Sequence, residues 1–223
     1  LDPTPEGLAA ERVFARELVT QCAGRDLLLY RLSSTRVFDG VKEQPYTEKD
    51  PLTPIGAHGS LQAELDQLLE AQCRRHLLLR FSWVLDSSPE GMLQRLVSQL
   101  LVGDSVSLAE EWRGTPTPLE DTARVVLAGL KQLDCGSELY GCYHYASAEV
   151  ASWISFARTL AQELVMDGQI EREPVIEPVP FDSQPAAALE PRNAVLSGRR
   201  LLYAFGIKPR TWRVSLTGLL GSH

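Results

Sequence analysis

Two short leucine-rich runs place the tightest limit on what this chain can fold into. Residues 27–32, Leu27-Leu28-Leu29-Tyr30-Arg31-Leu32, form the first, and residues 76–84, His76-Leu77-Leu78-Leu79-Arg80-Phe81-Ser82-Trp83-Val84, the second. Both are apolar at odd and even positions alike, so a strand made from either one needs cover on both faces. The segments between them carry a different period. Leu8, Val13, Ala15, Leu18, Val19 and Cys22 recur at mostly helical spacing over 6–23, and Leu61, Leu65, Leu68 and Leu69 mark one face of a helix that ends near Cys73. Strands covered on both faces and separated by helices predict an α/β fold built on a parallel sheet.

The alternation continues along the chain. A helix is expected over 89–101, a weak strand at 106–108, and a helix opened by Thr117 or Pro118 with Glu120 and Asp121 at its positive end. A strand over 142–146, a helix over 152–165 and a strand around Val175-Ile176 follow. The Pro/Ala-rich stretch 178–191 reads as a flexible surface loop, and two short helices are expected at 199–205 and 211–219.

Several classes of function are excluded at this level. A net charge of −7, with no stripe of Lys and Arg, leaves no general electrostatic grip on nucleic acid. No apolar run approaches the roughly 18 residues of a membrane span, and the start Leu1-Asp2-Pro3-Thr4-Pro5-Glu6 lacks the basic and apolar parts of a signal peptide. The cysteines Cys22, Cys73, Cys135 and Cys142 form no C-x-x-C pair and have no histidine at metal-finger spacing. Reduced thiols, no metal and a cytoplasmic location are the expectation. His76 reads as a satisfied strand end, and His144 should point to the face opposite Tyr143 and Tyr145.

Ligands of such sheets bind beyond the carboxyl ends of the strands. Ser33-Ser34-Thr35 and Ser82-Trp83 occupy those places here. The hydroxyls either satisfy the loop backbone or hold a substrate oxygen, and the indole is either core or a ligand platform. Spacing alone leaves both pairs of readings open.

A family pattern bears on the choice. Residues 31–40, Arg31-Leu32-Ser33-Ser34-Thr35-Arg36-Val37-Phe38-Asp39-Gly40, resemble the segment I-S-T-D-Y-V-F-D-G of the dTDP-4-dehydrorhamnose reductases, which are extended short-chain dehydrogenases/reductases. Pro45-Tyr46-Thr47-Glu48-Lys49-Asp50-Pro51 is similar to P-Y-x-E-x-D-x-P, Arg80-Phe81-Ser82-Trp83-Val84 to R-T-S-W-V-Y, and Gly114-Thr115-Pro116-Thr117 to G-x-P-T. Pro191-Arg192-Asn193-Ala194-Val195-Leu196 resembles R-P-x-N-S-x-L-D, and Ala204-Phe205-Gly206-Ile207 resembles A-F-G-I. The matches run in family order from about residue 10 to residue 216. The resemblance implies a Rossmann-type parallel sheet, incomplete at its N-terminus, with a smaller C-terminal substrate lobe. Residues 1–85 and 119–142 would form the remainder of the Rossmann lobe, and 86–118 with 143–223 the substrate lobe. It further implies a catalytic hydroxyl at Ser34, substrate contacts from Ser33 and Arg192, and a substrate-facing indole at Trp83.

The departures from the pattern fall on its chemistry. Aligning Pro54-Ile55-Gly56-Ala57 with the family's P-L-N-x-Y-G-x-x-K puts His58 on the Tyr and Gln62 on the Lys. The family's proton transfer uses a phenol made acidic by a nearby ammonium. Gln62 has no charge to lend, although its amide can hydrogen-bond a ribose. His58 titrates near neutrality and has a proton to offer, but its imidazole is shorter than a phenol. Arg36 stands on a Tyr of the pattern, and Ser197-Gly198-Arg199-Arg200-Leu201 replaces D-x-x-K-L. No Gly-rich turn follows a strand, so a cofactor site for NAD(P)H is expected only in a full-length protein, from residues before Leu1.

The first expectation is therefore a catalytically degenerate family member, a pseudoenzyme that binds a nucleotide sugar or dinucleotide in a sensing, scaffolding or regulatory role, with a protein partner or a second copy. The alternative is an active NAD(P)H-dependent reductase of a nucleotide-linked 4-keto sugar, using Ser34 with His58 or a water. A third reading is a fold remnant held by a partner, with no small-molecule ligand.

Overall fold

The computed structural model describes residues 4–220. Residues 1–3 and 221–223, which the two lobes were expected to include, lie outside the described residues. Helix α1 (Pro5–Gly24) starts at Thr4, whose hydroxyl accepts the Gly7 N–H, and leads into β1 (Leu29–Ser34). A short 3-10 turn and the loop to Gly56 precede α2 (Gly56–Gln72) and β2 (His76–Phe81). After β3 (Val84–Leu85) come α3 (Met92–Val102), β4 (Ser105–Ala109), β5 (Arg113–Gly114) and β6 (Thr117–Pro118). The chain then forms α4 (Leu119–Asp134), β7 (Gly141–His144), β8 (Ala151–Ser152), α5 (Trp153–Met166) and β9 (Val175–Val179). Helices α6 (Arg199–Phe205) and α7 (Arg213–Leu220) follow.

The fold is Rossmann-like: a parallel sheet of order β1-β2-β7 with helices on both faces. The strand period of two explains the layering. Leu77, Leu79 and Phe81 point to one side, against Val125 of α4 and Leu201 and Phe205 of α6. Leu78 points to the other, against Val19 and Cys22 of α1 and Leu69 of α2. Residues 199–207, grouped in sequence with the smaller lobe, thus pack on the sheet. His144 is fully buried on the face away from Tyr143 and Tyr145, edge-on to Phe38. His76 Nδ1–H donates to the Cys73 carbonyl, while its Nε2 is buried without a partner among the described residues.

Two expectations about strands need correction. The first strand is shifted to 29–34 and is not covered on both faces among the described residues, where it is only partly buried and Leu32 is 49% exposed. The run 76–84 is not one strand either. It breaks at Trp83, whose φ of 39° lies in the left-handed region, and restarts as β3 paired with β6. For a bulky residue that conformation costs on the order of 1 kcal/mol or more, offset by the packing of its ring.

A second core holds α3, α5 and α7 with the pairs β4-β9 and β5-β8. Stretch 178–191 is not a loose loop. Phe181 is buried against Trp112, and two 3-10 turns carry the chain to Glu190, which is ion-paired. Among the described residues no helix is long and apolar enough to cross a membrane, no group of side chains is suited to a metal, and the four cysteines are unbridged.

Candidate functional site

The carboxyl end of β1 and the first turns of α2 face each other because Gly59 lets them. A Cβ at residue 59 would lie 2.3 Å from the carbonyl oxygen of Arg36, inside any real contact. With hydrogen there instead, α2 approaches the Ser34–Val37 turn closely, and a row of side chains at helical spacing, His58, Gln62 and Asp66, comes to lie along β1.

Asp66, fully buried, anchors the inner end of the row. Its carboxylate accepts hydrogen bonds from Arg31 Nε at 2.9 Å, Ser33 Oγ at 2.8 Å and Arg80 Nε at 3.1 Å. Ser33, expected to contact substrate, is thereby spent on holding β1 to α2. One turn earlier, Ser34 Oγ lies 2.6 Å from Gln62 Oε1, and Gln62 Nε2 lies 3.2 Å from His58 Nε2. Ser34 also accepts the backbone N–H of Arg36. At the outer end Arg36 Nη1 is 2.8 Å from His58 Nδ1, while Nε and Nη2 of the same guanidinium donate to Glu190 Oε1. The structure thus brings Ser34, Gln62 and His58 together and adds Arg36 and Glu190 to them.

Proton counting fixes the state of this chain of contacts. Arginine only donates, so His58 Nδ1 carries no hydrogen. A neutral imidazole then bears its hydrogen on Nε2, and the group facing it must be the Gln62 carbonyl, which turns the amide over from the placement just given. The amide nitrogen faces Ser34 Oγ in that arrangement, which leaves the Ser34 hydroxyl hydrogen to point elsewhere.

Trp83 and Arg192 are not part of this group. Trp83 is 5% exposed, and its indole sits in a cluster with Trp112 and Trp153, each 5.3 Å away between ring centres. Its N–H has no partner among the described residues. The expectation of a substrate-facing ring is corrected on this point: the left-handed turn at Trp83 swings the ring into the core, and Gly114 packs against it. Arg192 pairs with Asp182 at 2.9 Å and lines a separate cavity with Asp39 and Asn193. A cavity of about 270 Å³ between α3 and residues 184–190 is lined by Arg36, Arg95, Trp112, Trp153 and Glu190, and Arg36 is its one link to the Ser34–His58 group.

The described residues do not form a dinucleotide cradle. Such a site needs a Gly-rich turn after a strand; β1 runs into Ser34-Thr35, β2 into Ser82-Trp83 and β7 into Tyr145. Gln62, the residue placed to meet a ribose, is occupied by Ser34 and His58.

The family model described as the RmlD substrate binding domain matches residues 6–222. The chain belongs to that family. Among its relatives, the dTDP-4-dehydrorhamnose reductase of Aggregatibacter actinomycetemcomitans is 27% identical over 86% of the chain and 65% of its own length. The dTDP-4-keto-6-deoxy-D-glucose reductase of Streptomyces niveus is 30% identical over 91% of the chain and 67% of its own length. The chain therefore spans about two thirds of these relatives. In fold it is similar to a dTDP-4-dehydrorhamnose reductase of Clostridium acetobutylicum, with a TM-score of 0.78 at 24% identity over 92% of this chain and 69% of that one. A Bacillus anthracis dTDP-4-dehydrorhamnose reductase solved with NADP gives a TM-score of 0.75 at 20% identity over 93% and 70%.

Setting Pro191 and Asn193 on the RmlD-type pattern R-P-x-N places its Arg on Glu190, not on Arg192. Arg36 occupies a Tyr of the same pattern. A carboxylate and a guanidinium have thus appeared at two positions 154 residues apart, and they pair with each other. The signal for Glu190 was present in the pattern; that for Asp66 was its spacing of four from Gln62.

Proposed function

We propose that this chain is a dTDP-4-dehydrorhamnose reductase-like sugar-nucleotide-binding protein without the usual reductase step, serving a binding or regulatory role. The contact between Arg36 and His58 carries this reading. A general acid in the position of the family's Tyr must bring a proton to the substrate oxygen. His58 offers Nδ1 as an acceptor to Arg36, and its Nε2 hydrogen is turned toward Gln62. Adding a second proton to the ring would place an N–H against the guanidinium. No ammonium stands at residue 62 to promote proton loss from a partner. Ser34 keeps a hydroxyl able to hydrogen-bond a carbonyl oxygen, which suits binding with or without turnover.

The test uses the full-length protein, with NAD(P)H oxidation measured against dTDP-4-dehydrorhamnose and nucleotide-sugar binding measured by calorimetry. Saturable binding with no oxidation is the expected result. Turnover that disappears in Ser34→Ala or His58→Ala overturns the proposal in favour of an active NAD(P)H-dependent reductase. Neither binding nor turnover would leave a fold remnant held by a partner.

A further inference from the structure

The cavity between α3 and residues 184–190 has a charge balance that the Ser34–His58 group does not explain. Its lining holds two cations, Arg36 and Arg95, and one carboxylate, Glu190. Arg95 makes no ion pair among the described residues, whereas Arg36 is held by Glu190 through Nε at 2.9 Å and through Nη2. Both partners are largely shielded, with side chains 25% and 15% exposed. The apolar part of the lining is Met92, Leu96, Leu108 and Leu189 with the largely buried Trp112 and Trp153. An apolar wall beside two guanidinium groups suits a ligand that carries an apolar moiety and an anion, since a guanidinium fork donates to a phosphate as readily as to a carboxylate.

In this structure Glu190 already holds the face of Arg36 that such an anion would take. The segment it ends is compact in itself. Ala187 N–H donates to Gln184, and the Leu189 and Glu190 N–H groups both donate to Ala186. The Arg36–Glu190 pair joins this self-contained piece to the sheet lobe.

We propose that Glu190 is a built-in competitor for an anionic ligand of the nucleoside-diphosphate class, and that the ligand's phosphate displaces it from Arg36 and releases residues 184–190. The proposal rests on the sugar-nucleotide reading above for the identity of the ligand. The same guanidinium touches His58 through Nη1, so exchange at Arg36 is transmitted to His58 without direct ligand contact. Ligand affinity is lowered by the fraction of molecules in which the face is already taken, and removing the competitor restores it.

Calorimetric titration of the full-length protein with dTDP tests this, with Glu190→Gln and Arg36→Met as variants. Glu190→Gln is expected to bind dTDP about tenfold more tightly, the factor for an open form that is about a tenth of the population. Arg36→Met weakens binding and cancels the gain when the two changes are combined. Independently, inorganic pyrophosphate at saturation should speed backbone hydrogen exchange in residues 184–190 of the unmodified protein. Equal dTDP affinity in the unmodified protein and Glu190→Gln overturns the competitor and leaves the sugar-nucleotide reading standing. Faster exchange with pyrophosphate, without binding of dTDP or a nucleotide sugar, keeps the competitor and sinks that reading. No change in exchange and no binding overturn both.

Discussion

Arg36 donates a guanidinium N–H to Nδ1 of His58 across 2.8 Å, and this one contact determines which ring nitrogen carries the hydrogen. The imidazole should carry its hydrogen on Nε2, with the Gln62 carbonyl accepting from it. Long-range proton–nitrogen NMR of labelled protein reads the tautomer directly. Arg36→Met should yield a mixture of tautomers. A ring protonated on Nδ1 in the unmodified protein would remove the basis for treating His58 as an acceptor.

The turn at Trp83 depends on a residue far along the chain. A Cβ at residue 114 would lie 2.5 Å from the indole, which cannot retreat because Trp112 and Trp153 pack behind it. Gly114→Ala is expected to destabilise the protein by about 1–3 kcal/mol, the usual cost of overpacking a core. Urea denaturation monitored by tryptophan fluorescence measures it. An unchanged midpoint would show that the aromatic cluster has slack.

Asp66 is fully buried and serves two arginines, Arg31 and Arg80, of which Arg80 is 2% exposed. Asp66→Asn leaves Arg80 without its counter-charge and should cost about 3–5 kcal/mol, as when one partner of a buried pair is removed. Replacing both sides, Asp66→Leu with Arg80→Met, should recover much of the loss. Recovery that fails to appear would mean the charges are held apart by more than their own desolvation.

These residues also mark where sequence reading stopped. Strand β2 was legible because its leucines fall at odd and even positions alike in a run too short for a helix, and all six of its residues are buried. The helices followed from their leucines, and Ser34, His58 and Gln62 could be placed in one group from pattern and helical spacing. Strands β3, β5, β6 and β8 span two residues each, too few for a period to show. The break at Trp83 was invisible because nothing about tryptophan signals a left-handed backbone; Gly114, thirty-one positions away, makes room for the ring. Arg36 and Glu190 carry no local signal of pairing, since the contact closes a loop through both lobes. Asp66 was masked by its neighbours: Leu65, Leu68 and Leu69 dominate the apolar face, while the charge that organises the site lies among them.

Burial of His144 makes stability depend on pH in a calculable direction. Its Nδ1–H donates to the Tyr46 carbonyl at 3.2 Å, and its Nε2 accepts from Arg80 at 3.4 Å, which is the neutral ring. Burial first, and then the adjacent Arg80, push its pKa down from 6.5 to about 3. The unfolded chain therefore binds a proton that the folded one refuses anywhere between those two values. Stability is complete above about pH 6.5 and falls as the pH drops toward 3, with a limiting slope of about 1.4 kcal/mol per pH unit. Asp39 and Asp50 are partly buried yet held below the usual range, Asp39 by hydrogen bonds from the Val41 N–H and the Tyr46 hydroxyl and Asp50 by those from Lys42 and Thr47, and they lose their contributions in the same direction. Their effect sets in below about pH 5, as the unfolded carboxylates begin to take up protons. Glu64 and Glu149, held below the ordinary glutamate value by Arg16 and by Thr211 with Arg213, add to the loss as the pH nears about 4.5. Urea midpoints between about pH 6.5 and 5.5 therefore report chiefly on the histidine. His144→Gln keeps one donor and one acceptor and should flatten the profile there. Parallel profiles for the two proteins would show that His144 is not the group that titrates on unfolding.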